Sequence, residues 1–116
     1  MSRTVLALLT LALLSAPAAA QDRGRWGAIA FGGPERATGT AVDFASAGEA
    51  RAAALENCGG CTRTIVFVRN CAAVAESPAG AVGWDSGRWR GRAIARALAK
   101  CGRQDCRLVA WACTVH

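Results

Sequence analysis

Ala54-Leu55-Glu56-Asn57-Cys58 and, 43 residues further on, Ala97-Leu98-Ala99-Lys100-Cys101 decide how this chain is read, because the same helix-like ending on a cysteine occurs twice. A short glycine-containing turn follows each, then a second cysteine and a run of β-branched or aromatic residues: Cys61-Thr-Arg-Thr-Ile-Val-Phe-Val in one copy, Cys106-Arg-Leu-Val-Ala-Trp in the other. Each copy therefore reads as helix, cysteine-flanked turn, strand. More strand-like sequence lies upstream. Trp26 to Phe31 and Gly39 to Phe44 precede the first helix, and Cys71 to Glu76 and Gly80 to Trp84 precede the second. The pattern predicts an α+β domain of two ββαβ repeats, about 26–70 and 71–115, whose six short strands form an antiparallel or mixed sheet with both helices packed on it.

Local signals place the helices. Ser46 followed three residues later by Glu49 is a capping box, so the first helix is expected over Ala47 to Asn57. The second is expected to start after Asp85-Ser86 and to stop at Gly102, which can take the left-handed conformation that ends helices. On a helical wheel Ile94, Ala97, Leu98 and Cys101 share the core side. Arg88, Arg92, Arg96 and Lys100 form a like-charged column on the other. Trp26, Trp84 and Trp111 fall in strands and are expected to be buried between sheet and helices, whereas Trp89 falls among arginines near the polar side.

The N-terminus has the form of a secretion signal, with Arg3, an apolar run from Val5 to Leu14, and Ala18-Ala19-Ala20 before Gln21. Cleavage after Ala20 would leave a single domain, 21–116, in the periplasm or outside the cell. The apolar run is too short to span a bilayer, so no transmembrane anchor is expected. The whole chain carries a formal charge of +6, almost all of it from arginine. Such a balance attracts anionic partners, although arginine in an Ala- and Gly-rich chain is also what GC-rich coding yields.

Cys58, Cys61, Cys71, Cys101, Cys106 and Cys113 admit two chemistries. Cys58-x-x-Cys61 and Cys101-x-x-x-x-Cys106 resemble zinc-ligand pairs. In an exported small domain an even number of cysteines is read instead as disulfides. A redox role for Cys58-x-x-Cys61 fits poorly, because Cys58 ends a helix and the dipole there raises a thiol pKa. If a pseudo-twofold axis relates the copies, the pairing is Cys58–Cys61, Cys101–Cys106 and Cys71–Cys113, with the last bond joining one repeat to the other. No cofactor or metal is implied.

Trp26-Gly27-Ala28-Ile29-Ala30, Ala54-Leu55-x-x-Cys58, Phe67-x-x-x-Cys71-Ala72-Ala73, Gly83-Trp84, Ala97-Leu98-x-x-Cys101 and the Cys106 to Cys113 segment together resemble the bacterial domain of unknown function 4189. The resemblance implies an exported protein and brings no activity or catalytic residue. One departure stands out from that family's acidic or alanine-rich helices: the second helix here opens Gly87-Arg88-Trp89-Arg90-Gly91-Arg92.

No catalytic constellation emerges. The one histidine, His116, is the last residue and has no chain after it to hold it as a base. Glu35, Asp43, Glu76 and Asp85 could supply a glycosidase pair but match an ordinary surface complement of acids. The expected function is a noncatalytic binding module of the envelope or secretome, engaging an unidentified protein or anionic envelope polymer through Arg88, Trp89, Arg90, Arg92 and Arg96. Export argues against nucleic acid as the partner. The alternatives are a small inhibitor of an envelope enzyme, presenting the loop from Gly32 to Thr40 or the Pro78 turn, and a wall-glycan-directed enzyme.

Overall fold

Residues 23–115 are described by a computed structural model; the stretch read as a secretion signal and His116 lie outside them. The element order is β1 (Trp26–Phe31), β2 (Gly39–Phe44), α1 (Ala47–Glu56), β3 (Arg63–Val68), β4 (Cys71–Glu76), β5 (Val82–Gly87), α2 (Arg90–Cys101) and β6 (Arg107–Cys113). Both halves thus run ββαβ. The six strands divide into two three-stranded antiparallel sheets, β2-β1-β3 and β5-β4-β6, rather than forming one. Arg69-Asn70 turns the chain from β3 into β4 with Arg69 at φ 53°, so β4 begins a second layer instead of pairing with β3.

The strands that lie centrally, β1 and β4, are buried on both faces, and their side chains sort by size. Ile29, Phe31 and Val74 point between the sheets, with Ile65, Phe67, Ala72 and Ala112 beside them. The opposite faces are alanine. Ala28 and Ala30 meet Ala50 and Ala54 of α1, while Ala73 and Ala75 meet Ala93 and Ala97 of α2. The layers are therefore helix, sheet, sheet, helix, with the bulky core in the middle and thin alanine seams outside it.

Those seams are thin because backbone meets backbone. A Cβ on Gly39 would collide with Ala54 O and Asn57 C, and a Cβ on Gly83 would collide with Ala97 O and Cys101 N. At the end of α1, Asn57 Nδ2 donates to Thr40 O at 3.0 Å, tying helix to strand. Gly102 (φ 77°) closes α2 as expected, its N–H donating to Leu98 O at 3.1 Å. The α1 start is as expected too: Ser46 Oγ accepts from Glu49 N–H at 3.2 Å.

Besides the division into two sheets, three sequence expectations change. First, α2 begins at Arg90, because Asp85-Ser86-Gly87 stays in β5, paired with Ala73, Ala72 and Cys71. Asp85 Oδ1 does accept from the next N–H, Ser86, at 2.8 Å, but within a strand rather than at a helix cap. Second, Trp84 and Trp111 are 44% and 42% exposed, and only Trp26 is half-buried. Both exposed residues sit on edge strands. A helix seated on glycine and alanine leaves no slot for the indole of Trp111, which lies on the helix side opposite Ala73. Trp84 lies opposite Val74 on the other face, while the sheets touch mainly through β4 and β6, so its ring overhangs the core.

The third change concerns the cysteines. They pair as Cys58–Cys61, Cys71–Cys113 and Cys101–Cys106. Yet Cys71–Cys113 does not join the two halves. Cys71 opens β4 and Cys113 ends β6, adjacent strands of one sheet. In the first sheet the matching places are held by Trp26 and Val68, which face each other across β1 and β3. The halves are held instead by the apolar layer between sheets and by the C-terminal residues. Thr114 N–H donates to Asn70 O at 2.9 Å, Asn70 N–H to Thr114 Oγ1 at 2.9 Å, and Val115 N–H to Asp43 Oδ1 at 3.1 Å.

Three outcomes follow for chemical unfolding. Gly39→Ala and Gly83→Ala should each destabilise by about 3 kcal/mol, the cost of overpacking against backbone that cannot yield. Gly48→Ala, whose Cβ meets nothing within 4 Å, should instead stabilise by about 0.5 kcal/mol. Loss of Cys71–Cys113, which spans 42 residues, should cost about 4 kcal/mol, against about 2 for either short loop. Denaturation midpoints of the double serine variants measure the difference.

Candidate functional site

The two helices start differently at equivalent places. In α1 the residue before the first turn is Ser46, capping Glu49 N–H, with acidic Glu49 in that turn. In α2 the residue 43 positions on is Trp89, which provides no side-chain cap, and Glu49 is matched by Arg92. Replacing a serine cap costs about 1 kcal/mol. Cations at the positive end of a helix cost a few tenths of a kcal/mol more. The buried register is unchanged, since Ala50 and Ala54 match Ala93 and Ala97. Only the surface chemistry at the helix entrance departs from what stability favours.

Around that entrance the arginines are organised by tryptophan. The Arg88 guanidinium lies 5.2 Å from the ring centroid of Trp89, and that of Arg90 lies 4.7 Å from the ring of Trp111. Trp89 is 61% exposed. Stacking of this kind offsets part of the cation's desolvation. Trp111, read from sequence as a core residue, thus joins the site. Leu108, also exposed, lies on the same face of β6, since Leu108 and Trp111 oppose Ala75 and Ala73 on the helix side.

Arg96 and Lys100 of the predicted basic column turn the other way. Arg96 Nη1 donates to Ser86 O at 3.2 Å, and Lys100 Nζ lies 3.3 Å from Asp85 Oδ2. Arg92 packs its stem by Gly87. Both long side chains toward β5 fasten α2 to that edge strand, which relieves the like-charge repulsion that spacing alone implies. The Asp85 carboxyl is held below its usual range, chiefly by the Ser86 N–H and then by Lys100 and Arg96. The structure therefore brings Arg88, Trp89 and Arg90 together with Trp111, and gives Arg96 a fastening role.

The acids proposed for glycan chemistry have separate structural surroundings. Asp43 holds Val115 N–H, Asp85 holds Ser86 N–H and Lys100, and Glu35 sits exposed at φ 55° in the short turn Pro34–Arg36. Glu76 ends β4 with Oε1 buried and no hydrogen-bond partner among the described residues. The loop considered for inhibition is anchored beneath: Cβ positions on Gly33 and Gly60 would touch Cys61 Sγ and Pro34. Its tip places Glu35 and Arg36 side by side in the left-handed region. Among the described residues no group of three metal-ligating side chains occurs, and no helix is long and apolar enough to cross a membrane.

A disulfide-stapled four-layer domain with an arginine–tryptophan surface at one helix entrance is what fold and site define. The chain belongs to the family described as domain of unknown function DUF4189, whose model matches residues 26–113. It is similar to the solved NMR structure of Rv1813c from Mycobacterium tuberculosis, with 30% identity and a TM-score of 0.62, covering 97% of this chain and 91% of that one. No curated protein matches.

Because the Asp85 carboxyl is held low, the Ser86 N–H hydrogen bond to its charged form, and after it the pairing with Lys100 and Arg96, stabilises the fold above the usual carboxylate range and is lost as pH falls through and below that range. Asp85→Asn should accordingly flatten the acid limb of a stability-against-pH curve, as followed by thermal melts between neutral and strongly acidic pH.

Proposed function

We propose that this protein is a noncatalytic exported binding module that engages an anionic partner of the cell envelope through the entrance of α2. Arg88, Arg90 and Arg92 supply the charge, and Trp89 and Trp111 supply flat, weakly hydrated area against which the guanidinium groups are held. Arg96 supports the surface from behind by fastening α2 to β5. Export is supported by the sequence of residues 1–20 and by the engagement of all six cysteines in disulfides.

One observation carries the reading. Where α1 has a serine cap and a glutamate, α2 has a tryptophan and an arginine, at a cost to its own stability. A local rule broken on the surface, in a half otherwise built to the same plan, marks a position where something other than folding sets the residue. The inhibitor alternative rests on Glu35 and Arg36, held left-handed on a disulfide-anchored loop. Capture of an envelope hydrolase by the wild type but not by a Glu35→Gly/Arg36→Gly variant would move the function there.

The test replaces the α2 entrance with that of α1. Trp89→Ser/Arg92→Glu should raise unfolding free energy by about 1–2 kcal/mol through a restored cap and a favourable charge. The same variant should elute from immobilised polyphosphate at clearly lower salt than the wild type. A more stable variant with unchanged retention would refute the assignment of the site.

A further inference from the structure

The surface at the α2 entrance carries more apolar area than a polyanion requires. Trp89 and Trp111 are both exposed, at 61% and 42%, and the Trp111 ring on edge strand β6 meets Arg90, the first residue of the helix. Arg88 and Arg90 stack on the two indoles. The patch thus sets exposed indole area beside two guanidinium groups.

Indole and arginine side by side on an open surface match one environment in particular. At a bilayer surface the indole sits at headgroup level, with its apolar body toward the acyl chains and its N–H toward water, while arginine meets the phosphates. Without residues 1–20, whose one charged side chain is Arg3, the +6 of the whole chain becomes +5, and this adds long-range attraction to such a surface. The shallow depression lined by Gly102, Arg103, Gln104 and Asp105 lies at the opposite end of α2 and takes no part.

Resting on the anionic-partner reading above, we infer that the partner is an anionic phospholipid surface, met by Trp89 and Trp111 at the headgroup boundary and by Arg88 and Arg90 at its phosphates. The protein lies on the membrane and does not cross it. Binding needs both components: charge brings the domain to the surface, and the indoles hold it there. Trp84 is as exposed as Trp111 but belongs to the opposite face of its sheet, so it stays in water.

Flotation with phosphatidylglycerol–phosphatidylcholine vesicles, read beside retention on immobilised polyphosphate, tests this. The wild type should float with mixed vesicles, not with phosphatidylcholine alone, and its fluorescence should be quenched by lipids brominated near the headgroup. Arg90→Gln should weaken vesicle binding about fivefold. Trp89→Ser, which restores a cap, should weaken it on the order of tenfold while the fold becomes more stable. Trp84→Ser should leave it unchanged. Polyphosphate retention without vesicle binding would overturn the lipid inference and leave the anionic site standing, whereas absence of both would overturn both. Vesicle binding unaffected by Arg90→Gln and Trp89→Ser would place the contact elsewhere and overturn the inference as well.

Discussion

The contact of each helix with a glycine of the strand beneath it governs the architecture. Gly39 lies against the backbone of Ala54 to Cys58, and Gly83 against that of Ala97 to Cys101. A helix held that close can present only alanine to the sheet, hence Ala50 and Ala54 on α1 and Ala93 and Ala97 on α2. Alanine buries little area per residue, roughly 1 kcal/mol or less each, so the seams hold position more than they supply stability. The larger side chains are displaced to the middle layer, where Ile29, Phe31, Ile65, Phe67 and Val74 fill the space between sheets. A cysteine two residues past the end of α1 and another at the end of α2 close the turns into the next strands, through Cys58–Cys61 and Cys101–Cys106. The short bonds fix how the chain leaves a helix already pressed onto its sheet.

Most of this order was legible because it is local. The repeated Ala-Leu-x-x-Cys ending, the Ser46 cap and the Gly102 stop each have a short-range cause, and each lies where that cause puts it. The division into two sheets was not legible, since it depends on whether Arg69-Asn70 turns β4 into the same layer or the next. Both arrangements show the same alternation of side chains. The start of α2 was misplaced because Asp85-Ser86 has the composition of a helix cap, and only pairing with β4 shows it to be strand. The tryptophans misled for a related reason. Their strands were identified, but whether a strand is an edge, and whether the layer above has room for an indole, are properties of the assembled sandwich. Of the site, Arg88, Trp89 and Arg90 were readable as a cluster, whereas Trp111 arrives from a strand distant in sequence.

Symmetry gave the right cysteine pairs through a wrong relation. A twofold exchange of Cys71 with Cys113 requires the two residues to be equivalent, yet one begins a central strand and the other ends an edge strand. The true equivalents face each other as Trp26 and Val68 in the first sheet. Cys71–Cys113 is therefore an addition peculiar to the second half, closing β4 onto β6 at the end of the sheet where the chain also enters α2. Cys71 pairs across β5 with Gly87, three residues from the helix start at Arg90.

That placement connects the disulfide with the α2 entrance. A helix start without a serine cap and with arginines in its first turn is weak by itself, and a weak start frays. Here the segment before it is braced on one side by the Cys71–Cys113 bond through Gly87, and the helix is braced further along by Arg96 on Ser86 O and Lys100 on Asp85. In α1, where Ser46 caps Glu49 N–H, the matching position holds no disulfide. The covalent bond and the two fastening cations occur in the half whose helix gives up its own cap. Trp89, Arg88 and Arg90 can then be displayed on a firm base, with the stability that a serine would have given recovered from the edge of the sheet.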